Sequence, residues 1–359
     1  MSNKWRQVYT ELTDLIAEHS EVEIGASVVR IPESVRPEFY RLFETVRTVL
    51  VEEKSPALLS KARVLSESYT KVEEEVMKLL GLESVSTSPS LHRFLHDPID
   101  QLIRGLFNPL FDLLKGRIDV EKYEEGAARN IEASFRPLYQ SGYEKWIALS
   151  LVKLLEADKS FQVIIEDISV EDVLKSGGLV EERVPAPEES KALSFKHDLE
   201  VGFIVPDIIV HSARVDRYIA LSSEIGTAVA TASDASEKRE WLPLDSVVDL
   251  GSGITLVYVD DNPEELSLVA DAQKICRPDL IIEYMGLKEL YEKERLDKVK
   301  LHHDSLKPRL GTYIVSKEPV PEQEPEKQEV DIHILSVGFD QSELKPIISA
   351  LIGQESAQQ

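Results

Sequence analysis

The feature that most constrains this chain is a change in the period of its apolar residues near residue 160. Before it, apolar side chains recur every three or four positions, as Trp5, Val8, Leu12, Leu15 and Ile16 do, which is the spacing of one helical face. After it, β-branched runs such as Ile254-Thr255-Leu256-Val257-Tyr258-Val259 take over. The two patterns in succession predict an α+β multidomain protein. An N-terminal all-α helical bundle is followed by an α/β domain with a mixed sheet.

The helical part divides at its own punctuation. Ser34 is placed to cap a helix carrying Phe39, Leu42, Phe43, Val46 and Leu50. Ser55-Pro56 opens another that stops near Gly81, and the Ser/Thr/Pro-rich stretch 84–90 reads as a loop. Leu91 to Leu114 is apolar on more than one face, which predicts a buried central helix, kinked or divided at Pro98 and Pro109. A last helical pattern runs from Val120 to about Ala157, with Gly142 as its break. Five or six helices are expected, over residues 1–160.

Residues 161–317 form the predicted α/β domain. Strands are expected at Phe161–Ile168, Leu199–Val205, Ile208–Val210, Tyr218–Leu221, Ile254–Val259 and Leu280–Ile282. A short helix is expected after Ser169, and Pro185–Glu189 reads as a polar loop. Asp260-Asp261-Asn262-Pro263-Glu264-Glu265 combines an Asx cap, a first-turn proline and acids at the positive dipole end. It predicts a helix running to Ile275, hence a right-handed crossover between parallel strands. Gly286–Val299 reads as a solvated helix and Gly311–Ser316 as an edge strand. Residues 318–329 hold five Glu and three Pro, an acidic linker. Residues 330–359 then form a strand-helix appendage that docks on the main sheet or on another chain.

Charge limits the partners. The formal net charge is −24, and it is uneven: residues 1–160 carry 21 basic and 26 acidic side chains, and the remainder 20 and 39. Nucleic-acid affinity comes from Lys and Arg contacts to phosphate, so a DNA-coating role is disfavoured. A protein partner or self-association is expected instead. The one cysteine, Cys276, excludes an intrachain disulfide and a multi-cysteine zinc site, and is expected as a buried structural thiol late in a helix. No apolar run is long enough to cross a bilayer and the first residues lack a signal peptide's apolar core, so a soluble cytoplasmic protein is expected.

Few motifs carry chemistry. No dinucleotide, Walker, nucleophile-elbow or zincin pattern occurs. His92 and His96 lie four apart, with Asp97 and Asp100 just beyond; without a third ligand in a known pattern they read as solvated or core-edge histidines. His302-His303-Asp304 reads as a polar turn. Asp260 and Asp261 sit at the carboxyl end of a predicted strand, where open α/β sheets place ligands, although capping accounts for them as well. A second Pro-Asp, Pro278-Asp279, precedes Glu283 on what would be the same strand face.

Pro206-Asp207 followed by Ala220-Leu221-Ser222-Ser223-Glu224 resembles a degenerate version of the PD-(D/E)XK nuclease-like pattern, over residues 199–283. In that family a Pro-Asp strand precedes a strand bearing acid-x-Lys; the carboxylates hold a divalent metal and the lysine positions or activates water. Here Asp207 matches the first acid, while Ala220 stands at the second acid and Ser222 at the lysine. No lysine occurs between Lys196 and Lys238, so the resemblance implies a broken constellation. The expectation is therefore a non-catalytic binding or assembly module with no cofactor. The alternative is a metal-dependent phosphodiesterase or nuclease-type hydrolase, with Asp207 and Glu224 as catalytic acids. Those two and Asp260 would then ligate Mg²⁺ or Mn²⁺.

Overall fold

A computed structural model describes residues 3–25, 28–163, 186–195, 203–223, 239–243, 253–271, 274–319 and 331–353. Among them are nine helices and an eight-stranded mixed sheet, with helices dominating the N-terminal region and strands the later part of the chain. The chain forms two compact units, Met1–Thr70 with Pro89–Gly142, and Lys71–Ser88 with Tyr143–Gln359.

The first unit contains α1 (Lys4–Glu18), the two-residue strands β1 (Glu23–Ile24) and β2 (Val29–Arg30), and α2 (Arg36–Lys54). It also holds α4 (Pro89–His96), α5 (Pro98–Arg104) and α6 (Phe107–Leu114), with the first parts of α3 (Pro56–Leu80) and α7 (Val120–Leu154). The apolar spacing finds its cause here: Trp5, Leu12, Phe39, Phe43, Val46 and Leu50 are all buried. Phe43 packs against Phe107 and Phe111 with ring centroids 5.3 and 4.6 Å apart. Glu124 fastens three helices, accepting from Trp5 Nε1 at 2.9 Å, Arg6 Nε at 3.2 Å and Lys54 Nζ at 3.0 Å.

Three local expectations change. α2 begins at Arg36 behind Val35, which makes no side-chain cap, so Ser34 is not its N-cap. The apolar stretch 91–114 is three short helices. Asp97 caps the second at Pro98, and the next break falls at Gly105-Leu106, leaving Pro109 harmless in the first turn of α6. Gly142 does not interrupt α7. A Cβ there would lie 2.9 Å from Leu95 Cδ2 and 3.0 Å from Leu65 Cδ2, so this glycine is a close helix-helix contact.

The second unit is built on the sheet. Its further strands are β4 (Ala157–Gln162), β5 (Glu188–Glu189), β8 (Ile208–Ser212), β9 (Arg217–Ser223), β11 (Ile254–Asp260), β14 (Leu280–Met285), β15 (Thr312–Ser316) and β16 (Ile332–Ser336), in the spatial order 16-15-14-11-9-8-4-5. β14, β15 and β16 run parallel, and the remaining pairs are antiparallel. One face carries Ile209, Ala220, Ile254, Leu256, Tyr258 and Ile281 in a shared core. The other presents Ser223, Thr255 and Tyr284, and Tyr284 meets Tyr143 of α7 edge-on.

The helix expected after Asp260 is absent. Asn262 caps only a single 3₁₀ turn, Pro263–Leu266, and Ser267 closes it by donating its hydroxyl to the Glu264 carbonyl. The chain then makes β12 (Ala270–Asp271) and β13 (Lys274–Cys276), two strands of a small antiparallel sheet with β10 (Trp241–Pro243) and β7 (Phe203–Ile204). β11 and β14 are consequently antiparallel, and the parallel crossover comes one step later, from β14 through α8 (Lys293–Leu306) to β15. β15 is not an edge strand, because β16 pairs outside it, followed by α9 (Lys345–Ile352). Serines expected in a loop form β3 (Ser84–Ser86), which pairs with β6 (Ala192–Ser194), and Glu188–Glu189 pairs with β4. Residues 164–168, the helix after Ser169 and most of the acidic linker lie outside the described residues.

Candidate functional site

A buried cluster of charged and polar side chains meets where β8 begins and β9 ends. Pro206 cannot donate to a ladder, so the pairing starts at Asp207, whose N–H donates to the Leu221 carbonyl at 2.9 Å. This places the Asp207 carboxylate beside Ser223. Oδ2 accepts the Ser223 N–H at 2.8 Å and also the Ser223 hydroxyl. Lys145, from the buried stretch of α7, donates from Nζ to Ser223 Oγ at 2.7 Å and stands 3.9 Å from Asp207 Oδ2. Both charged side chains are only 3% exposed. The ring of Phe195 faces the ammonium at 5.0 Å.

The sheet extends this polar patch. Ser223 pairs with Thr255 on β11, and Thr255 Oγ1 accepts the Tyr284 hydroxyl at 2.9 Å. Burial pushes the Tyr284 phenol well above its usual range, and the charges of Glu144 and Asp207 push it the same way. Glu144, next to Lys145 on α7, is itself buried.

The residues singled out in sequence fall in several places. Ala220 belongs to the apolar core of the opposite sheet face, and Ser222 shares that face by alternation. The β9 residue that hydrogen-bonds Asp207 is Ser223, the neighbour of Ser222. Glu224 lies outside the described residues. Asp260 pairs with Tyr218, five positions along β11 from Thr255, which is roughly 16 Å at the rise of a strand. It accepts from the Asn262 N–H at 3.1 Å and stands 3.6 Å from Arg239 Nη1, so it does not join Asp207. Asp261 pairs with Arg217 at 2.6 Å.

The second Pro-Asp is a separate structural knot. Asp279 is fully buried and accepts from the Val259 N–H at 2.7 Å, Arg239 Nη2 at 3.1 Å and Arg309 Nη1 at 3.2 Å. Glu283 meets His302 Nδ1 at 2.5 Å. His302 therefore belongs to the buried side of α8 and not to a polar turn. Cys276 lies on β13 rather than a helix; burial first, then nearby Asp279, pushes its thiol up to about 11. His92 and His96 are exposed on α4.

Sequence reasoning missed Lys145. It stands 78 residues from Ser223. A signal was present: Glu144-Lys145 is embedded in Tyr143–Val152, every residue of which is buried, so those charges needed internal partners.

A hard divalent ion needs several oxygen ligands with room for water. Among the described residues no group of three or more His, Cys, Asp and Glu side chains converges in that way. Beside Asp207 the positive charge is already supplied by an ammonium, and the facing hydroxyl is spent on the acid. Among the described residues, which do not include Glu224, the donor set does not fit a resident Mg²⁺ or Mn²⁺. No family model, curated protein or solved structure matches this chain.

Proposed function

We propose that this protein is a non-catalytic binding or assembly module whose strand-rich unit has a closed polar centre in place of a metal-dependent one. The observation that carries the reading is Lys145. Its ammonium faces Ser223 and Asp207 with both charged side chains buried, so the acid is neutralised from within the chain. A centre for phosphodiester hydrolysis works with a hydrated metal beside its lysine, whereas this lysine is tied to Ser223 and its pair with Asp207 is sealed from water. The acidic excess supports the choice of partner: residues 161–359 carry 20 basic against 39 acidic side chains, a field that draws in basic protein surfaces.

Two measurements test it together. Titration with Mg²⁺ and Mn²⁺ is expected to release no heat and to leave the melting temperature unchanged. Light scattering, with affinity capture from the native host at low and high salt, is expected to reveal self-association or a salt-sensitive protein complex. Manganese binding that disappears in Asp207→Asn would overturn the reading, as would a strict monomer that holds no partner.

A further inference from the structure

We propose that His92 and His96 form an exchangeable metal site, a pair of imidazoles on one turn of α4 that takes a borderline divalent cation of the copper, nickel or zinc class. The inference is independent of the reading of Asp207.

The spacing of the two rings suits a two-point chelate. The two residues are four apart on a helix, so their side chains rise from the same face. Their ring centroids lie 4.4 Å apart with planes inclined at 52°. One ion at about 2.0–2.1 Å from a nitrogen of each ring requires rings roughly this close. Both side chains are exposed, so an ion reaches them without any opening of the core. The Tyr69 ring stands edge-on to His96 at 6.1 Å, which narrows the orientations open to that imidazole.

The surroundings fix the class of ion. Imidazole suits copper, nickel and zinc, whereas magnesium and calcium demand oxygen. The nearby carboxylates are committed elsewhere: Asp97 accepts from the Asp100 N–H at 3.1 Å, and Asp100 pairs with Arg93 at 3.4 Å and Arg104 at 3.1 Å. Two protein ligands leave the remaining positions to water, so the ion would exchange readily rather than hold the fold together. The formal charge of −24 favours its approach.

The test is calorimetric titration of the full chain with Cu²⁺, Ni²⁺, Zn²⁺ and Mg²⁺ in a non-chelating buffer, with visible absorbance followed for copper. The expected result is one site, tightest for Cu²⁺ and silent for Mg²⁺. Both His92→Gln and His96→Gln are expected to weaken it at least about tenfold, since losing a ligand costs no less than losing an outer hydrogen bond. His333→Gln, which changes another exposed histidine, is expected to leave it intact. Absence of copper binding in the unaltered chain overturns the proposal, and so does binding that survives in both variants. The substituted side chains are exposed, so unchanged melting curves separate loss of the site from loss of the fold.

Discussion

Lys145 Nζ stands 3.9 Å from Asp207 Oδ2, and both side chains are sealed from water. Two charges taken out of solvent are costly, and only their mutual attraction and full hydrogen bonding offset that cost. Ser223 supplies part of the hydrogen bonding, accepting from Lys145 and donating to Asp207 Oδ2. Removing either charge strands the other. Lys145→Met and Asp207→Asn are each expected to cost about 3–5 kcal/mol in urea unfolding. The double variant is expected to cost clearly less than the two together. Additive losses below about 1 kcal/mol would show that the two charges act independently, as exposed pairs do.

The Glu283–His302 contact joins β14 to α8 across the parallel crossover. Glu283→Leu deletes the acceptor of a buried imidazole and is expected to cost about 1–3 kcal/mol. Glu283→Gln keeps shape and an acceptor oxygen and is expected to retain more of the stability. Equal melting temperatures for the two variants would show that packing, not the hydrogen bond, sets the contribution.

The sequence made some of this legible and hid the rest for identifiable reasons. Ile254–Val259 has no polar face and could only be an interior strand, and it pairs on both edges, with β9 and with β14. The α1 and α2 faces were equally plain, because Trp5, Leu12, Phe39 and Phe43 recur at helical spacing and are all buried. The failure after Asp260 was one of competition: the capping residues are real, but Ser267 turns back on Glu264 and ends the helix after one turn. The β9 side chain that bonds Asp207 is one register step beyond Ser222. On a strand that step moves a side chain to the opposite face, which is why Ala220 and Ser222 look into the apolar core and Ser223 looks at Asp207. Lys145 could not be placed by any local pattern, since only the packing of α7 on the sheet brings it to Ser223.

Gly311, just before β15, lies against Asp331, just before β16. Its φ is +87°, and a Cβ would lie 2.6 Å from the Asp331 carbonyl oxygen, which accepts the Thr312 N–H. Gly81 also has a positive φ, +63°, but nothing stands within 4 Å of its missing Cβ. Gly81→Ala therefore isolates the backbone penalty, about 1 kcal/mol. Gly311→Ala adds a clash with backbone and is expected to cost at least about 1 kcal/mol more. Equal losses in thermal unfolding would mean that β16 yields without resistance.

Cys276 tests the small sheet from its own side. Its thiol is pushed up to about 11 by burial, so at pH 8 roughly one molecule in a thousand carries the reactive thiolate. A disulfide reagent is expected to label the folded chain very slowly and the unfolded chain at once. The same shift makes stability depend on pH. The unfolded thiol gives up its proton near about 8.5, while the folded one holds it until about 11, so the folded state binds more protons in between. This contribution is intact below about pH 8.5 and is lost as the pH rises toward 11. Cys276→Ser is the wrong control, because it buries a hydroxyl; Cys276→Ala removes the titration and costs only packing. The unaltered chain is expected to lose more stability than Cys276→Ala between about pH 8 and 10.5. Parallel curves, or rapid labelling of the folded chain, would place the thiol in contact with water.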